Sequence, residues 1–268
     1  MTSPLQGEDR RFDSAPAHQS YKRRKALGQN FLVDEKIAQR IVDAAEIKDD
    51  EDILEIGPGR GILTERLAQM GKSLVAVEKD KWLFTVLNQK LRRENVEIIE
   101  GDIMKVDIPD IDVIVSNIPY SISSPLLFHL FETKWDRAVI MFQEEFANRL
   151  TAKHGTKQYG RLTVMASVHV KCKKLFRVSR NMFLPQPRVH SVVVELKREA
   201  PNYEVKDVKI FDEVVRAIFT HRRKTLKNAL KTRFENLELD KLPFMELRGE
   251  VLSPEEIANL ANEITKLI

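Results

Sequence analysis

Four adjacent residues, Asn117-Ile118-Pro119-Tyr120, carry the groups needed to activate a weak amine nucleophile. The exocyclic amino group of adenine attacks poorly because its lone pair is delocalised into the ring. An Asn side-chain oxygen and a neighbouring backbone carbonyl can accept its two N–H bonds and favour a pyramidal nitrogen. Here those acceptors are Asn117 and the Ile118 carbonyl; Pro119 constrains the turn that presents them, and Tyr120 offers an aromatic face to the base. Methyl transfer from a sulfonium then relies on positioning and electrostatics, with no cysteine nucleophile and no strong general base.

A donor site of matching chemistry lies upstream. Glu55-Ile-Gly-Pro-Gly-Arg-Gly61 falls between a predicted strand and a predicted helix, and glycines such as Gly57 and Gly59 let the backbone approach a ligand closely. Glu78 closes the next predicted strand about twenty residues on, where a carboxylate can accept both hydroxyls of a ribose. Gly101-Asp102 follows the third strand, placing Asp102 where it can accept from an adenine amino group. The glycines run G-x-G-x-G, and Ile62 stands where a dinucleotide fingerprint has its third glycine. No G-K-[ST] follows at the spacing of a phosphate loop, so one is excluded. The spacing suits S-adenosylmethionine, whose adenosine presents ribose hydroxyls without a pyrophosphate. A nicotinamide dinucleotide and a ligand-free glycine turn are the alternatives.

These residues need strands that end side by side. Short β-rich runs at Ile53–Ile56, Ser73–Val77, Val96–Ile99, Ile111–Ser116 and Arg137–Phe142 alternate with helical patterns at Ile62–Met70, Trp82–Leu91 and Pro125–Phe131. Such alternation predicts βαβ units and a parallel sheet with helices on both faces, an α/β fold. Ligands in such sheets bind at the carboxyl ends of the strands, where the tetrapeptide falls. Upstream, Asp34 can cap a helix whose stripe is Ile37, Ile41 and Ala44/Ala45. Val192–Leu196 is a later strand. Beyond Lys197 a linker-like Ala-Pro-Asn leads into helical patterns, the last opened by the capping box Ser253-Pro-Glu-Glu256. The expected organisation is a disordered arm over residues 1–20, an α/β domain over 21–200 and a small all-helical domain over 201–268.

The chain has 268 residues, 44 basic and 40 acidic, for a net charge of +4. Distribution matters more than the total. Lys22–Lys25, Lys171–Arg180 and His221–Arg233 are three clusters without an acid, as a phosphate backbone would favour. In the last, Arg223, Lys227 and Lys231 lie at i, i+4 and i+8, so a helix there would align them on one face, with Leu226, Leu230 and Phe234 packing inward. A single cysteine, Cys172, excludes a disulfide framework or a Cys-rich zinc module, and the six histidines have no metal-binding spacing. No apolar run reaches the roughly 18–20 residues of a membrane span, and the polar start is unlike a signal peptide. The expectation is a cytoplasmic, metal-free monomer. Trp82 and Trp135 read as packing residues.

Taken in order, Leu27-Gly-Gln-Asn-Phe-Leu32, Glu55–Gly61, Glu78, Gly101-Asp102, Asn117–Tyr120, Tyr159-Gly-Arg-Leu162, Phe183-Leu-Pro-Gln-Pro187 with Val189 and Ser191, and His221-Arg-Arg-Lys-Thr225 make a specific set. The chain resembles the KsgA family of small-subunit ribosomal RNA adenine dimethyltransferases across roughly residues 21–268. The resemblance implies a Rossmann-like class I methyltransferase sheet with a small C-terminal all-helical domain. It implies S-adenosylmethionine held by Asn30, Leu32, Gly57, Gly59, Glu78, Asp102 and Asn117. The target adenine would be sandwiched by Tyr120 and Phe183, as expected for an unpaired base. Arg222, Arg223, Lys224, Lys227 and Lys231 would contact RNA. The implied substrate is a pair of adjacent adenosines in the 3′-terminal hairpin of small-subunit ribosomal RNA, each dimethylated within a pre-ribosomal particle. A large-subunit methyltransferase of the macrolide-resistance type and a non-catalytic RNA-binding assembly factor are the rival readings.

Overall fold

The computed structural model describes residues 30–268. The expected N-terminal arm, the Lys22–Lys25 cluster and positions 27–29 of the first motif lie outside the described residues.

The chain enters through a two-residue strand, β1 (Phe31–Leu32), and helix α1 (Glu35–Asp43). Asp34 caps that helix as its sequence predicts, its Oδ1 accepting the Ile37 amide at 2.8 Å. Then follow β2 (Asp52–Ile56), α2 (Thr64–Leu67), β3 (Ser73–Glu78), α3 (Lys81–Lys90), β4 (Val96–Glu100) and β5 (Val113–Asn117). After them come α4 (Ser123–Phe131), β6 (Arg137–Gln143), α5 (Glu144–Leu150) and α6 (Arg161–Ser167). The sheet region closes with β7 (Val170–Val178), β8 (Phe183–Leu184) and β9 (Ser191–Arg198). Three further helices complete the chain: α7 (Val208–Thr220), α8 (Leu226–Leu230) and α9 (Pro254–Thr265).

Seven strands form one sheet in the order β4-β3-β2-β5-β6-β9-β7. From β4 to β6 all neighbours are parallel, as the strand–helix alternation demands. The sheet is mixed, however: β9 runs antiparallel to both β6 and β7. The basic Lys171–Arg180 stretch is largely this edge strand β7, whose exposed lysines obscure its β character in the sequence. Charged edge strands of this kind resist pairing with other chains. The strand order reverses between β2 and β5, and the crevice outside the strand ends at such a point is where ligands bind.

Apolar cores fill both faces of the sheet. One gathers Leu54, Ile56, Ile114, Leu126, Phe142 and Leu196; the other gathers Ile41, Ile53, Leu67, Val113, Met141 and Val193. A third core unites α7, α8 and α9, and it also takes in Tyr159, Val164 and Met165 at α6. The Tyr159 hydroxyl donates to the Leu252 carbonyl at 2.8 Å, and Arg161 pairs with Asp212 at 2.9 Å. The C-terminal helices are thus bolted onto the α/β part through α6.

Candidate active site

At the carboxyl ends of β2 and β5 an open cleft is lined by Asn30, Leu32, Glu55, Gly57, Gly59, Glu78, Asn117, Ile118, Pro119 and Tyr120, among others. Apart from Glu55, each of these residues is anticipated by the sequence.

The glycine loop owes its shape to positive backbone angles. Gly57 has φ of 68° and Gly59 of 59°, a region that L side chains rarely occupy. A Cβ on Gly59 would lie 3.0 Å from the Phe31 ring, so the loop can approach β1 only with glycine there. Glu78, 4% exposed, is held from two sides: its Oε2 accepts the Gly59 amide at 3.0 Å and its Oε1 the Asp80 amide at 2.8 Å. Burial pushes its pKa up, and the two amides pull against that.

Glu55 is the functional candidate that sequence reasoning missed. It sits at 1% exposure in an otherwise apolar strand interior, and its Oε2 has no hydrogen-bond partner among the described residues. Burial pushes its carboxyl up to about 8, against the pull of the nearby Thr64 hydroxyl and with the Glu78 charge adding a smaller push. A buried carboxyl lining this cleft fits a cation, whose approach would draw it into the charged form, and S-adenosylmethionine carries both an ammonium and a sulfonium. The missed signal was an acid immediately before the glycine run, inside a strand with no other reason to bury one.

The tetrapeptide is built from the end of β5. Ile118 is buried at 2% exposure and anchors it to the core, while Pro119, at φ −59° and ψ 126°, turns the chain into a short 3-10 turn at Tyr120–Ile122. The Asn117 Nδ2 points at the Asn30 carbonyl across a long 3.5 Å, which leaves Oδ1 as the accepting end of the amide. The Tyr120 hydroxyl lies 2.6 Å from Ser191 Oγ. The strand pair β1–β8, with Phe31 opposite Leu184 and Leu32 opposite Phe183, brings the first motif and the Phe183 motif together beside the cleft.

Several expected residues stand elsewhere. The Asp102 carboxylate is absent from the cleft lining: its Oδ2 pairs with Lys79 at 2.7 Å and its Oδ1 accepts the Met104 amide, partnerships that hold its pKa low. Phe183, at 3% exposure, is buried in the core with Leu32 and Val193 and is absent from the cleft lining. Trp135 packs as expected at 4% exposure, but Trp82 is 50% exposed in the first turn of α3.

The basic segment departs most. Helix α7 stops at Thr220, a turn carries His221–Lys224, and Thr225 bridges to Arg248 before α8 begins. Arg223 is therefore outside the helix and not in line with Lys227 and Lys231. Arg222 is engaged within the protein: its guanidinium donates to the Thr156 and Lys157 carbonyls at 2.9 Å each and pairs with Glu250. Lys227 is paired with Asp240. Arg223, Lys224 and Lys231 are exposed, and Phe234 packs inward as expected. Among the described residues, no cluster of three His, Cys, Asp or Glu side chains could hold a metal ion, and no helix is long and apolar enough to cross a membrane.

Residues 20–266 match the family described as ribosomal RNA adenine dimethylase. A probable ribosomal RNA small subunit methyltransferase A from Methanosarcina mazei is 42% identical over 249 residues, covering 89% of this chain and 92% of its own. The ribosomal RNA small subunit methyltransferase A of Bacillus mycoides is 41% identical over 265 residues, 90% and 91% of the two chains. Among solved structures, a dimethyladenosine transferase from Plasmodium falciparum superposes with a TM-score of 0.79 at 30% identity, over 88% of this chain and 98% of that one. The 23S rRNA methyltransferase ErmE gives 0.70 at 29% identity, over 88% and 100%.

Proposed function

The chain belongs to the ribosomal RNA adenine dimethylase family, and from that premise we propose that it is a methyltransferase acting on the small-subunit RNA. Its substrate is two adjacent adenosines of the 3′-terminal hairpin, each methylated twice on the exocyclic nitrogen, within a pre-ribosomal particle in the cytoplasm. It works as a monomer, with the catalytic unit over residues 21–200 and the helices of 201–268 contacting RNA.

The observation that carries this reading is the meeting of the glycine loop and the Asn117–Tyr120 tetrapeptide in one cleft. When bound, S-adenosylmethionine supplies an electrophilic methyl group on a sulfonium sulfur. Glu78 would accept from the ribose hydroxyls, Gly57 and Gly59 would admit the ligand against backbone, and the buried Glu55 carboxyl would offer a partner to its positive charge. Asn117 Oδ1 and the Ile118 carbonyl accept the two N–H bonds of the adenine amino group, leaving its lone pair aimed away from both. The Tyr120 ring supports the base; Phe183 would join it only by turning outward. Asp102 would reach an adenine amino group only by sharing its carboxylate with Lys79. Catalysis on this plan is orientation and electrostatics.

ErmE shares the fold, but the small-subunit relatives are closer in sequence, at 42% identity against 29%. The test is methyl transfer from labelled donor to undermethylated small subunits and, in parallel, to large subunits, with modified positions mapped by mass spectrometry. Label on two adjacent small-subunit adenosines is the expected result. Label on the large subunit alone, or on neither, overturns the assignment.

A further inference from the structure

Tyr120 follows Pro119 at the start of a one-turn 3-10 segment, so its backbone alone does little to fix its ring. Its hydroxyl is nonetheless tied, 2.6 Å from Ser191 Oγ. Ser191 is fully buried at 0% exposure and opens β9, where two ladders fix it: it lies opposite Gln143 on β6 and opposite Val178 on β7. The preceding His190 carbonyl accepts the Glu144 amide at 2.9 Å, so the backbone entering Ser191 is fixed as well. Ser191 Oγ is thus a point on a rigid sheet, and it holds the far end of a ring that projects from a turn.

The other end of the same segment is also tied to the tetrapeptide. Phe183 and Leu184 pair with Leu32 and Phe31, next to Asn30, whose carbonyl faces the Asn117 amide. Asn117 and Tyr120, the two ends of the tetrapeptide, are therefore each connected to one end of the stretch from Phe183 to Ser191. With its hydroxyl engaged by Ser191, Tyr120 serves through its ring face.

We propose that Ser191 is a positioning residue for the target base, holding the Tyr120 ring in the orientation that receives the adenine. This rests on the methyl-transfer reading above and adds to it a residue that never touches substrate. A displaced aromatic support misaligns the amino group, and small misplacements of a reacting group cost about ten- to hundredfold in rate.

Ser191→Ala, Tyr120→Phe and the double variant each remove the same hydrogen bond. Single-turnover methylation at saturating donor and small subunits should fall about ten- to hundredfold in each single variant, with the double variant no slower. Donor affinity by calorimetry should stay within about twofold, and Ser191→Thr, which keeps the hydroxyl, should recover the rate. A wild-type rate in Ser191→Ala, or penalties that multiply in the double variant, would overturn the proposal. Carbon-13 NMR of tyrosine-labelled protein, with the Tyr120 signal assigned through Tyr120→Phe, tests the tether without any substrate. The Tyr120 Cζ resonance, which senses the phenol's hydrogen bond, should shift in Ser191→Ala relative to the unaltered protein, and an unmoved resonance sinks the idea. Should the unaltered enzyme methylate no small subunit, the function reading fails, while the NMR comparison still judges the tether.

Discussion

Glu78 and Gly59 are joined by a 3.0 Å hydrogen bond from the Gly59 amide to the Glu78 carboxylate. The group proposed to hold the ribose therefore also holds the loop against which the ligand lies. Its replacement should do double damage. Glu78→Ala is expected to weaken S-adenosylmethionine binding by roughly ten- to hundredfold, from about 1.5–3 kcal/mol of lost hydrogen bonds to a charged group. Titration calorimetry checks it, and unchanged affinity would remove Glu78 from the site.

Glu55 makes the unliganded protein sensitive to pH. Its folded pKa of about 8 lies above the ordinary 4.5, so the native state holds a proton that the unfolded chain releases. The contribution is full below about 4.5 and is lost as pH rises through 8, with a slope of at most about 1.4 kcal/mol per pH unit. Urea unfolding at pH 5 and pH 8 should show a larger loss for the unaltered protein than for Glu55→Gln. Equal losses would place the titrating group elsewhere.

Arg137 and Glu51 behave oppositely. The guanidinium meets both carboxylate oxygens at 2.7 and 2.6 Å and also donates to the Ala45 and Glu46 carbonyls. It holds the Glu51 carboxyl down to about 2, so this stabilisation is present above 4.5 and disappears as pH falls through 2. Arg137→Ala should cost about 1.5–3 kcal/mol at neutral pH, because Glu51 keeps only the Lys48 amide and the more distant Lys48 ammonium. Denaturant titration would reveal it; a loss under about 1 kcal/mol would mean the pair is better solvated than its geometry implies.

Asn117→Ala separates binding from chemistry. Turnover should nearly vanish while donor affinity falls much less, since the side chain's main proposed task is to orient the substrate amine. A near-wild-type single-turnover rate would contradict the mechanism.

Arg222 and its neighbours should part company. Arg222→Ala removes two carbonyl contacts and an ion pair, so a lowered melting temperature is expected. Arg223→Gln with Lys224→Gln should leave melting unchanged but weaken small-subunit binding. Each lost phosphate contact should flatten the logarithmic salt slope by about 0.7–0.9, the range between single strands and a duplex. If Arg222→Ala melts normally and binds poorly instead, its role is in recognition.

The parts legible in the sequence are those whose position is encoded by strand ends. Gly57, Glu78 and Asn117 each follow a β-rich run, and parallel pairing brings such ends together automatically. Phe31–Leu32 and Phe183–Leu184 were illegible as strands because two residues carry no period, and their partners are remote in sequence. Arg222 looked like its basic neighbours because composition does not say which cation will meet backbone carbonyls. The helix expected through Arg223 fails because Thr225 is taken by Arg248 and the Leu226 amide by the Leu247 carbonyl, tertiary contacts that override helical spacing. Glu55 stands within an apolar strand, and an acid at such a place is itself the signal.

The pairing of β1 with β8 also dictates a timetable. Phe31 leaves the ribosome early in synthesis, but its partner Leu184 emerges only after every parallel strand has been made. A nascent chain therefore carries the glycine loop and the tetrapeptide before it has the ribbon that borders them. Truncation anywhere short of Leu184 leaves β1 without its partner strand, so the border of the cleft is completed late in translation rather than strand by strand.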